Sequence, residues 1–197
     1  VGGYPGPDGG RLIAELIMGD REPIGRLPVS LPRSSASLPV AYDERMGAAR
    51  RYSDSESDAL LGFGAGLGYA RWELGEPAAV GDGLSDVVVS AVLRNTSERA
   101  GRQIVGLYGR ARVPGLLPRQ AVLLGFTAVE VAAGGEQTVS IGINPYAIGR
   151  LGLDAPPSAT GLPASLELWL SHDSPLPPRG QIITHIVGVS PGPGLPG

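Results

Sequence analysis

From residue 87 onward apolar residues recur at every second position, and this period of two limits the fold more than any other feature of the chain. Val87, Val89, Ala91 and Leu93 alternate with Val88, Ser90, Val92 and Arg94, as in a strand with one buried face. Asn95-Thr96-Ser97-Glu98 follows as a turn. Further strands are predicted over 101–110, 121–131, 136–143 after the Gly134-Gly135 turn, 164–170 and 181–189. Short strands parted by Gly, Pro, Asn and Asp predict a β-sandwich, in which two sheets bury facing alternate residues. The fold class is mainly β.

The N-terminal stretch reads differently. Leu12, Ile13, Leu16 and Ile17 share one helical face, Asp8 stands at an N-cap position, and Gly19 can take the left-handed conformation that ends a helix. A helix is predicted over 9–18 with one side buried. It is too short to stand alone and needs a sheet to pack on, for which the preceding chain is the natural supplier. Pro23, Gly25, Pro28, Pro32 and Pro39 then exclude a second long helix. Residues 191–197, a Pro-Gly tail, are expected to be disordered or to act as a linker.

Composition removes several chemistries. The 197 residues include no Cys, so thiolate catalysis, disulfides and cysteine metal sites are excluded. All 16 basic residues are Arg, which excludes a Schiff-base lysine. A net charge of −3 with scattered Arg supplies no basic stripe for nucleic acid, and no apolar run is long enough for a membrane span. No cofactor or metal is expected. The opening at Val1 in a Gly-rich turn is expected of a fragment or processed product, and the compartment is left open.

The remaining candidates for chemistry have plain structural readings. Asp43 with Glu44, and Asp54, Glu56 and Asp58, are acids in polar loops, with nothing apolar nearby to raise one pKa. Ser171-His172-Asp173-Ser174 holds nucleophile, base and acid types in a row, but sequence neighbours in a turn do not converge as a triad does. His185 lies between Ile183 and Val187 on one strand face, and a zinc site would need ligands the chain hardly offers. Trp72, Tyr69, Trp169 and Tyr108 could stack on sugar rings, but at strand spacing they read as core or seam residues. Arg26 reads as a loop-orienting guanidinium, bonded to carbonyls or carboxylates. The glycines at 62, 64, 66 and 68 lack the Lys-Ser or Lys-Thr of a phosphate loop and read as a connection where backbones approach closely. No catalytic, cofactor or metal residue is assigned.

Several blocks taken in order resemble glycoside hydrolase family 3 in its C-terminal part. They are Tyr4-Pro5-Gly6-Pro7-Asp8-Gly9-Gly10, then Ala14 to Asp20, then Pro23-Ile24-Gly25-Arg26-Leu27-Pro28, where Glu22 and Ile24 replace the usual Asn and Ser. Gly62-Phe63-Gly64-Ala65-Gly66-Leu67-Gly68-Tyr69 resembles a later block, with Gly68 where Ser is usual and Ala70 where Thr is usual. Val92 to Thr96, Leu107-Tyr108, Leu124-Gly125-Phe126 and Gly134 to Val139 resemble the family's fibronectin type III-like domain. The resemblance implies that residues 1–60 are the end of an α/β sandwich domain with its linker, that 61–190 are a fibronectin type III-like β-sandwich, and that 191–197 are tail. It also implies that the nucleophile and acid/base of a retaining glycosidase precede this stretch. The partners would be upstream catalytic domains, of the same or a companion chain, acting on β-linked glucosides or xylosides. A non-catalytic carbohydrate-binding or protein-interaction module is the alternative.

Overall fold

A computed structural model describes residues 4–35, 38, 40–46, 59–81, 84, 86–151, 164–176 and 181–187. Helix α1, Gly9–Met18, opens this part of the chain. It ends as its sequence dictates: Gly19 sits at φ 82°, its N–H bonds Leu16 O, and Asp20 N bonds Glu15 O at 2.9 Å, closing the last turn in a Schellman motif. Its start differs from the sequence expectation. Asp8 occupies the N-cap position with φ −86° and ψ 3° and makes no side-chain cap bond. A Gly9 N to Gly6 O turn holds its backbone instead, away from the extended conformation that a capping side chain needs.

The expected buried face of α1 also differs. Leu12 and Leu16 are half-buried, whereas Ile17 and Met18 are 75% and 76% exposed and Ile13 is exposed too. No sheet of the described residues packs on that face.

The strands form two antiparallel sheets packed as a sandwich. In one, β3 (Trp72–Leu74) and β4 (Ala78–Val80) share one edge of β5 (Val88–Asn95), and β8 (Glu136–Gly142) takes the other. In the second the order is β10 (Ile183–Val187), β9 (Ala164–Ser171), β6 (Gly101–Arg112), β7 (Val122–Val131). A small ribbon of β1 (Leu31–Pro32) and β2 (Ala59–Leu61) joins segments far apart in sequence. This arrangement is a fibronectin type III-like β-sandwich. The core between the sheets holds Val89, Leu93, Val105, Leu107, Val122, Leu124, Leu166, Leu168 and Leu170, every one at 0% exposure. Removing that apolar area from water is the main force holding the sheets together.

Asn95, also fully buried, closes one end of the sandwich. Its amide nitrogen donates to the carbonyls of Arg99, Val131 and Ala132, and its amide oxygen accepts from Ser97 N. One side chain thus satisfies backbone groups of the β5–β6 and β7–β8 turns together.

The second sheet is covered on part of its outer face as well. On its outer side Tyr108, Ala121 and Trp169 are buried with Phe63 and Leu123 packed on them. Tyr42 stacks on Phe63 with ring centroids 4.0 Å apart. The chain segments around residues 42 and 63 therefore lie across β6, β7 and β9 and form a second small core.

Candidate functional site

The polar and open features of the molecule gather where residues 22–30 and 62–70 meet the second sheet. Arg26 organises this seam. Its Nη2 donates to Gln103 Oε1 and its Nε to the carbonyl of His172. Gln103 is 2% exposed, and its Oε1 also accepts from Ile104 N at 3.1 Å. Two donors on Oε1 fix the amide orientation, so Gln103 Nε2 faces His172 Nδ1 at 3.2 Å as a donor. His172 Nδ1 must then accept, which places the ring proton on Nε2 and leaves the imidazole neutral. Burial pushes the His172 pKa down, and Arg26 adds to that while Asp173 opposes it.

Ser171 to Ser174 form the turn that the sequence suggested. Ser171 Oγ donates to Asp173 Oδ1 and accepts from Ser174 N, both at 3.3 Å. The hydroxyl does not engage His172, so no nucleophile–base pair exists here. Asp43 pairs with Arg119 and Arg150, and the Glu44 carbonyl accepts from Gln120 N. These are ties of the crossing segment to the sandwich. Asp54, Glu56 and Asp58 lie outside the described residues, as does the His185 side chain, whose backbone pairs with Leu166. Among the described residues no cluster of His, Asp and Glu could hold a metal ion, and no helix is long and apolar enough to cross a membrane.

The aromatic candidates do not make one platform. Trp169 is fully buried, donates Nε1–H to Pro175 O and lies under the Arg110 guanidinium, which also pairs with Glu167 at 2.9 Å. Tyr108 stacks beside Trp169, and Trp72 packs on the main core. Tyr69 is turned to α1: its hydroxyl donates to Leu16 O, its ring lies 5.4 Å from the Arg99 guanidinium, and Arg99 Nη2 donates to Gly19 O. A cation at the carbonyl end of a helix is favoured by the helix dipole. Two side chains, Tyr69 and Arg99, thus clasp the end of α1 to the sandwich.

A cavity of about 190 Å³ opens beside Arg26. Leu27, Phe63, Leu123 and Phe126 give it apolar walls, and Tyr108, His172 and Arg26 form its polar side. The Tyr108 phenol is pushed up to about 12, chiefly by burial, and stays protonated. The sequence singles out neither Leu123 nor Phe126 as a site residue, Phe126 standing only in the Leu124-Gly125-Phe126 block of the resemblance. Three residues apart, they would face opposite sides of a regular strand. The pairing of β7 with β6 shifts between Leu107 and Tyr108, where Gly125 is followed by Leu123 as partner. This bulge turns both side chains outward while keeping Leu124 in the core.

The glycine run is the close connection the sequence implied. A Cβ on Gly66 would collide with the Gly25 carbonyl and the Arg26 guanidinium, and Gly64 sits at φ +80°. Gly64 N bonds Leu27 O, and Leu27 N bonds Ala65 O.

Residues 1–69 match the profile of the glycosyl hydrolase family 3 C-terminal domain. The periplasmic β-glucosidase of Salmonella typhimurium is 30% identical over 162 residues, covering 74% of this chain and 21% of that protein. The chain belongs to the C-terminal region of glycosyl hydrolase family 3. A xylan 1,4-β-xylosidase of Xylanibacter ruminicola is 34% identical over 142 residues, covering 70% of this chain and 16% of that protein. The structure of a β-glucosidase from Erythrobacter marinus superposes with a TM-score of 0.77 at 30% identity, over 94% of this chain and 24% of that one. The chain spans about a fifth of the length of the curated relatives it matches.

Two departures of this family 3 chain from the pattern it resembles touch each other. Glu22 Oε1 accepts from Tyr69 N at 2.8 Å and Ala70 N at 3.1 Å. A Cβ on Gly68 would lie 2.6 Å from that same oxygen. The longer acid at 22 takes space that a serine side chain at 68 would need.

Proposed function

We propose that this chain is a supporting part of a glycosidase acting on β-linked glucosides or xylosides, with the bond-breaking carboxylates on polypeptide that precedes it. Retaining hydrolysis needs two carboxyl groups about 5 to 5.5 Å apart. The acids described at the seam are instead committed: Asp43 to two arginines, Glu167 to Arg110 and Arg112, and Glu22 to backbone N–H groups. On this reading residues 1–60 complete an α/β domain and residues 61–190 are the sandwich that buttresses it.

The observation that carries the proposal is the apolar face of α1. Ile13, Ile17 and Met18 lie bare while the other side of the helix end is clasped by Tyr69 and Arg99. A helix held by polar ties behind and apolar in front is suited to deliver that front to a neighbouring sheet. The test is assay of the purified chain with an aryl β-glucoside, for which no turnover is expected. In the longer protein, Ile13→Ser with Ile17→Ser should lower the melting temperature and the yield of active enzyme. Robust turnover by the isolated chain would defeat the proposal.

A further inference from the structure

The cavity at the seam has a composition that the supporting role does not use. We propose that it is a binding site for a small, uncharged aromatic carbonyl compound, held between the aromatic walls with its oxygen on Tyr108. Its volume, about 190 Å³, exceeds the roughly 150 Å³ of an apolar engineered cavity that takes up benzene. Phe63, Leu123 and Phe126 supply faces and edges on which a ring packs. Phe126, at the rim, is 68% exposed, so the site is reachable from solvent.

The polar side selects the ligand's chemistry. Tyr108 is only 5% exposed, and its hydroxyl lies on the cavity wall beside Gly64. A phenol on the wall of an open cavity can donate to a group that enters it. Gly64 keeps that hydroxyl open, because a Cβ there would approach it to 3.1 Å. The other polar groups are donors as well. His172 carries its proton on Nε2, since Nδ1 accepts from Gln103, and Arg26 has N–H groups beyond the three that bond protein atoms. A corner of donors calls for an acceptor oxygen. Charge argues against an anion, because the Arg26 cation already feels both Asp173 and Glu22. A neutral carbonyl on an aromatic ring meets both conditions.

The site is tested on the full chain with acetophenone as probe, by isothermal titration calorimetry and ligand-observed NMR. Ethylbenzene, which keeps the shape and lacks the oxygen, and benzoate, which adds a charge, are the comparators. Saturable one-to-one binding of acetophenone is expected, with ethylbenzene and benzoate each weaker by roughly tenfold. Tyr108→Phe retains the ring and should bring acetophenone down to the level of ethylbenzene, with thermal unfolding checked to confirm a native fold. The proposal is overturned if acetophenone shows no saturable binding, if folded Tyr108→Phe keeps the preference, if benzoate binds best, or if a crystal soaked with acetophenone holds only water in the cavity. None of these outcomes depends on whether the longer protein is a glycosidase.

Discussion

Glu22 and Gly68 form a pair that can be taken apart and put back. Gly68→Ser alone pushes a side chain onto Glu22 Oε1, which already bonds two backbone N–H groups. It should destabilise the chain by about 1–3 kcal/mol. Combined with Glu22→Asn it should cost less than the sum of the two single changes, read as a coupling energy in a urea-denaturation cycle. Strict additivity would contradict the contact. His172 supplies a pH effect whose sign follows from its lowered pKa. At pH 7.5, about a unit above the ordinary imidazole pKa, the ring is largely neutral in both folded and unfolded chains and adds little slope. Below that the unfolded chain takes up the proton first, so stability falls with pH until the depressed folded pKa is passed. Protonation would also set Nδ1–H against the Gln103 amide, breaking the relay to Arg26. The stability difference between the native chain and His172→Gln should therefore shift in the variant's favour between pH 7.5 and 5.5, and a difference independent of pH would refute this.

Among the elements, α1 and the sandwich strands should respond to substitution in opposite ways. Ile17→Ser on the bare face should change the stability of this chain by no more than about 0.5 kcal/mol. Leu107→Ala in the core should cost about 2–5 kcal/mol. Thermal denaturation of the two variants compares them directly, and a large loss for Ile17→Ser would mean that the face is covered. The long strands were legible because their alternation runs for several turns of the pleat: β5, β6, β7, β8 and β9 lie within two residues of the expected spans. The strand β10 begins at Ile183, two residues after the expected start, and residues 188 and 189 of the expected 181–189 span lie outside the described residues. The strands β1 to β4 were not legible, since two or three residues are too few to display a period. The bulge in β7 escaped for a different reason. It changes which way Leu123 and Phe126 point without changing any residue type, so the walls of the cavity leave no mark in the sequence.

Across the whole molecule, the part that reads easily and the part that does not divide along the seam. Core valines and leucines announce a sandwich by hydrophobicity alone. The seam is built from single long-range contacts, Arg26 to Gln103 at a separation of 77 residues and to His172 at 146, and no local pattern encodes a partner so distant. The Gly-Arg-Leu-Pro block and the glycine run were each legible as special, but their meeting through Leu27 with Gly64 and Ala65 was not.

The ribbon β1–β2 has one more effect. It fastens Pro32 beside Ala59, and Met46 is moored separately by its N–H to Pro118 O. Chain inserted between Met46 and Ala59 would start and finish at anchored points, and a doubled span costs only about 0.6 kcal/mol in closure entropy. Evolution or an engineer can thus lengthen that stretch, or splice a guest peptide into it, and leave the sandwich and the helix on their existing footing.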